Sequence, residues 1–182
     1  AASDVYKRQI KDRLAETCDH QPFIAKAPLV LVFVADYQKW YDLFCRHVEE
    51  VRHPGLGDLM LSIDDALIAA QNSVVAAQSM GIGSCYIGDI IENYEIHKEL
   101  LGLPKYAVPA AMVVFGYPTE QQKERIKPAR QRRECVVFEN TYRRQSPEEF
   151  EKELTYSEGE KPDFKAWVNA FCCLLYTSDA AD

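Results

Sequence analysis

From Asp64 to Pro118 the chain reads DDALIAAQNSVVAAQSMGIGSCYIGDIIENYEIHKELLGLPKYAVPAAMVVFGYP. Physically, this is a small-residue helix closed by glycine, a short extended piece, a second helix and a buried strand. From Ala66 to Met80 apolar residues cover most of the helical circumference, which predicts a helix buried nearly all round. Ala66, Ala69, Ala70, Ala76 and Ala77 keep it slender, so another helix can approach closely. Gly81 fits the left-handed position that ends helices. Ser62 and Asp65 suggest the helix start through a capping-box-like pattern.

Two further apolar runs flank this block. Leu29 to Ala35 is β-branched without alternation, as expected of a strand covered on both faces. Ala110 to Phe115 reads the same way, closed by Gly116 and Pro118, and Cys135 to Phe138 is a third, shorter strand candidate. Ile10 to Thr17 reads as a helix remnant, Tyr37 to Val51 as an amphipathic helix, and residues 53–57 as a loop. Asn93 can cap a helix reaching Leu101. Ser146-Pro147-Glu148-Glu149 is a strong helix start, with acids at the positive helix end. Strands separated by helices argue an α/β or α+β class.

The terminal peptides are set apart. Ala1 to Gln9 (AASDVYKRQ) and Cys173 to Asp182 (CLLYTSDAAD) can be coded by one DNA segment read from opposite strands. GAT GTG TAT AAG AGA CAG encodes DVYKRQ, and its complement, shifted by one base, begins Cys-Leu-Leu-Tyr-Thr-Ser. Residues 1–9 and 173–182 are therefore expected to be translated sequencing adapter, and residues 10–172 the native piece of a gene cut on both sides.

With a formal charge of −7, a general role on nucleic acid or an anionic membrane is disfavoured. The run Leu29 to Ala35 is far too short to span a bilayer. Scattered cysteines without a Cys-x-x-Cys pair suit reduced thiols in a cytoplasmic protein. His20, His47, His53 and His97 lack metal-binding spacing and read as surface or loop residues. Cys85 reads as a buried small residue, and Trp40, Tyr41 and Phe44 as core, with a substrate mouth the alternative. Gly81, Gly83 and Gly88 miss the dinucleotide fingerprint, because Tyr86 stands where its third glycine belongs.

The Ala-rich helix running into GIGSCYIGD resembles the central block of the FMN-dependent nitroreductase family. QPFIAKAPLVLVFVADY and the later VVFENTY match the same family, so the resemblance extends from Ile10 to roughly Phe150. It implies an α+β fold: a three-layer α/β/α sandwich around a central mixed sheet, here incomplete at both ends. In such proteins the segment matching Tyr86, Ile87, Gly88 and Asp89 passes beside the flavin ring and offers it main-chain amides. Gly88 would be small so that backbone and ring approach closely. Amides aimed at a site of growing electron density stabilise it without a side-chain acid. No catalytic side chain and no metal ligand is nominated.

Arg125, Lys127, Arg130, Arg132 and Arg133 crowd one stretch of an acidic chain. By the resemblance Arg130 is the best match to the arginine on the FMN phosphate, with Lys127 second. Ala129 stands where the family pattern has proline, which leaves the register open by one residue. The family's upstream Arg-Arg-Ser-x-Arg element does not occur before Ile10. The resemblance thus implies an oxidoreductase passing hydride from NAD(P)H through FMN to a nitro compound, quinone or similar small-molecule acceptor. It also implies a homodimer, without nucleic-acid or membrane partners. The alternative is a flavin-binding or dimerising module without turnover.

Overall fold

The computed structural model describes residues 2–4, 8–127, 129–159 and 163–169, with residues 2–4 and 158 described by backbone alone. Residues 173–182 of the expected adapter lie outside these. The chain divides into two compact units, residues 1–119 and 120–182.

The first unit is built on a four-stranded sheet, order β1-β2-β4-β3, comprising β1 (Ala2–Asp4), β2 (Leu29–Asp36), β3 (Gly83–Ile87) and β4 (Ala107–Gly116). Every pairing among the described residues is antiparallel, where the resemblance implies a mixed sheet. The reason is topological: β4 enters between two strands that run the same way and opposes both. The two apolar runs are buried strands, as expected, and they form the central pair, with Leu29 opposite Phe115 and Val32 opposite Met112.

Pro109 lies inside β4 yet breaks no ladder on the β3 side, because β3 ends at the Ile87–Met112 pair. On the other side the β2 register shifts between Phe33 and Val34, which skips Ala110. A residue without an N–H is tolerated at such a bulge.

The sheet is covered on both faces. On one, Val30, Val32, Val34, Ile87, Met112 and Val114 pack with Leu14, Cys18, Ile24 and Ile90. Those partners come from α1 (Arg8–Thr17), the turn after it, α2 (Pro22–Lys26) and α5 (Asp89–Glu92). On the other face, Phe33, Ala35, Ala111, Val113 and Phe115 meet Ala66, Ala70 and Ala77 of α4 (Leu56–Ser79). This is the α/β/α layering implied by the resemblance.

Three local expectations are corrected. Helix α4 starts at Leu56, not near Ser62, because the Asp58 carboxylate accepts the Gly55 N–H at 2.8 Å. Asp58 also holds Arg52 at 2.6 and 2.8 Å, and these contacts keep its carboxyl well below the usual carboxylate range. Nor is α4 buried all round: Ala66, Ala70 and Ala77 are buried, whereas Met60, Leu61, Ile68 and Val75 are exposed. The alanines, with the partly buried Ile63 and Val74, meet the sheet, while Met60, Leu61, Ile68 and Val75 stay exposed. By length and composition α4 is also apolar enough to cross a membrane. Thirdly, α3 (Gln38–His47) contributes no buried residue, so Trp40 and Phe44 are not core. Gly81, at φ +73°, closes α4 in the left-handed region as expected.

In the second unit, α7 (Glu120–Glu124) and α8 (Arg133–Val136) are short. The strand expected at Cys135–Phe138 is instead the end of α8, the extended Val137 and the irregular Phe138. Its β-branched composition was outweighed by capture of the Arg132 N–H on the buried Glu153 carboxylate. Helix α9 (Pro147–Glu158) starts where Ser146 and Glu149 exchange hydrogen bonds of 3.2 and 2.9 Å, as the sequence indicates.

Candidate functional site

Among the described residues β3 is an edge strand, paired with β4 alone. Its last residue, Ile87, and Ile90 of α5 are rooted in the core beneath it. Between them Gly88 is exposed, and Tyr86 on the preceding turn of the pleat is 43 % exposed. The Tyr86 hydroxyl donates to Gln71 Oε1 of α4 at 3.3 Å, which lays the ring along that helix. A main chain anchored by two buried isoleucines therefore passes an open surface at the intervening glycine.

Gly88 is informative because nothing in the chain demands it. Its φ of −72° and ψ of −35° suit any residue. A Cβ built there would meet no atom within 4 Å. Among the described residues the backbone there borders open space.

The segment is stapled from below. Gln21 Nε2 donates to Asp89 Oδ2 at 3.0 Å and to the Cys18 carbonyl at 2.9 Å. His97, in α6 (Tyr94–Leu100), is fully buried, a correction to its reading as a surface residue. Its Nδ1 lies 2.9 Å from the Ile90 carbonyl and its Nε2 2.9 Å from the Thr17 hydroxyl. A carbonyl only accepts, so Nδ1 of the neutral ring carries the proton, and Nε2 faces the Thr17 hydroxyl, which itself donates to the Arg13 carbonyl at 2.9 Å, and the Cys18 thiol at 3.7 Å. Burial pushes the His97 pKa down, against the raising effects of the Ile90 carbonyl and Asp89. Burial also pushes the Cys18 thiol up to about 12, which makes it inert. Asn93 precedes α6 as expected, but its side chain donates to the Thr17 carbonyl at 3.1 Å instead of capping the helix. Cys85 is exposed, not buried, because it stands on the sheet edge.

The expected phosphate-binding residues belong to the second unit. Lys127 and Arg130 are exposed there. Arg132 of the same cluster is committed elsewhere: its Nε is 2.7 Å from Glu153 Oε2, and its guanidinium lies 5.4 Å from the Tyr156 ring centre. Arg132 holds the Glu153 carboxyl below its usual range. Glu153 and His97 were missed in the sequence because both act through contacts distant along the chain.

The sequence profile of the Nitroreductase family matches residues 2–117. The chain belongs to the nitroreductase family. An oxygen-insensitive NADPH nitroreductase of Salmonella typhimurium is 34 % identical over 138 residues, covering 74 % of this chain and 53 % of its own length. An FMN reductase [NAD(P)H] of Bacillus subtilis is 32 % identical over 142 residues, covering 76 % and 55 %. The chain thus spans about half the length of these relatives. Among solved structures, the NADPH:FMN oxidoreductase of Vibrio harveyi complexed with NAD+ superposes with a TM-score of 0.76 at 26 % identity. That match covers 95 % of this chain and 72 % of the Vibrio chain. The B. subtilis NfrA1 nitroreductase also gives 0.76, at 25 % identity, covering 98 % and 78 %.

Proposed function

We propose that the complete nitroreductase carrying this sequence is an FMN-dependent oxidoreductase, taking hydride from NAD(P)H and delivering it to a nitro compound, quinone or similar acceptor. The observation that carries this reading is the open space beside Gly88, which directly follows an edge strand and lies between Ile87 and Ile90, both rooted in the core. The names of the relatives, an NADPH nitroreductase and an FMN reductase, agree with it.

Bound FMN would supply the hydride chemistry. The work of this chain is then positional. The main chain at Tyr86, Ile87, Gly88 and Asp89 presents peptide groups to the ring edge, held still by Ile87 and Ile90. Lys127 and Arg130 are exposed cations suited to the phosphate, Arg130 through its forked donors. Arg132 is excluded from that role by its pairing with Glu153.

The exposed apolar residues of α4, among them Met60, Leu61, Ile68 and Val75, support a homodimer in which a second copy covers this face. A cytoplasmic enzyme with reduced thiols remains the reading of the cysteine pattern.

Oxidation of NADPH and NADH by the complete enzyme, with FMN and a quinone, tests the proposal. A rate well above that of free FMN is expected. An enzyme that binds FMN yet adds nothing to the free-flavin rate would be a binding module instead.

A further inference from the structure

The turn that carries Gly88 is held by a stretch of chain far away in sequence, and that stretch is itself unusual. Asp19 and His20 are consecutive non-glycine residues in the left-handed region, at φ 55° and 51°. Such backbone persists where the surroundings over-determine it, and it often serves a site. Here it reverses the chain after α1 so that Gln21 points back at residue 89. Gln21 is itself fixed: its N–H donates to the Ala15 carbonyl at 2.8 Å and its carbonyl accepts from Ile24 at 3.1 Å. Both hydrogens of its side-chain amide are then spent, one on Cys18 and one on Asp89.

We propose that Gln21 is a positioning residue, clasping Asp89 so that the main chain from Gly88 to Ile90 keeps the geometry on which the flavin reading of the preceding subsection rests. Two parallel ties support the clasp. Asn93 Nδ2 binds the Thr17 carbonyl at 3.1 Å, and His97 binds the Ile90 carbonyl while touching Thr17. Residues 17–21 and 89–97 thus form one fastening beneath the exposed Gly88. Among the described residues only the Gln21–Asp89 bond acts on a residue adjoining that glycine through its side chain, so it can be cut without removing core volume. Asp89 is half-buried, which makes its loss felt locally rather than throughout the sheet.

The test is amide hydrogen exchange on the complete enzyme without flavin, resolved at residues 86–91 and at β2 and β4 as internal reference. FMN titration of the same samples follows. Gln21→Ala is expected to speed exchange at 86–91 about tenfold, with β2 and β4 unchanged, and to weaken FMN binding by a similar factor. Asp89→Ala should reproduce both effects and serves if Gln21→Ala does not fold. Asp89→Asn keeps an acceptor oxygen for Gln21, so exchange at 86–91 should stay closer to wild type than in Asp89→Ala. Adding Gln21→Ala to Asp89→Ala should bring little further change. Unchanged exchange at 86–91, or equal acceleration in β2 and β4, overturns the proposal. The local pattern in an enzyme that binds no FMN would support the clasp and remove the flavin reading alone.

Discussion

His97 Nδ1 lies 2.9 Å from the carbonyl oxygen of Ile90, seven residues earlier, with the imidazole fully buried. The ring is neutral there, and burial depresses its pKa below the ordinary value of 6.5. The unfolded chain therefore binds the proton more readily than the folded one. Stability from the neutral ring is complete above pH 6.5 and is lost as pH falls towards the folded value. Denaturant melts from about pH 7 to about pH 5 should show falling stability, and His97→Gln should flatten that slope. A slope unaffected by the substitution would contradict this.

Met112 sits at the centre of β4 with no exposed surface, between β2 and β3. Met112→Ala should cost about 2–5 kcal/mol, read as a lower denaturant midpoint at unchanged slope.

The two sides of α4 should respond oppositely. Ala70 is fully buried against the sheet, so Ala70→Leu overpacks and should cost about 1–3 kcal/mol. Ile68 is exposed, so Ile68→Asp should leave the fold intact. If α4 joins two copies, sedimentation of Ile68→Asp should show monomer where the wild type is dimer.

Gly81→Ala isolates backbone strain. The residue lies at φ +73°, and an added Cβ meets nothing within 4 Å. A loss of about 1 kcal/mol in thermal or chemical melts is expected.

Much of the scaffold was legible because its signals are local. Leu29–Ala35 and Ala110–Phe115 announce buried strands by composition, and Ser146 with Glu149 announces a helix by a contact three residues long. Errors arose where distant residues decide. His97 is buried by Thr17, 80 positions away, and Cys135 is held by an α9 residue, Glu153, through a contact of 3.4 Å. The apolar circumference of α4 disclosed a helix that wants cover, but not that Met60, Leu61, Ile68 and Val75 stay exposed among the described residues. At the site, Tyr86 to Asp89 fell together by adjacency, while the Gln21 clasp depends on a left-handed turn at Asp19 and His20 that no glycine marks.

Under the proposed function, the backbone at Gly88 is kept bare for a flat ring. FMN titration of the complete enzyme and of Gly88→Val, each paired with a thermal melt, tests it most directly. Since an added Cβ meets no heavy atom within 4 Å and φ is −72°, the melt should change little while FMN affinity falls by about tenfold or more. Equal FMN affinity in the two proteins would contradict the account.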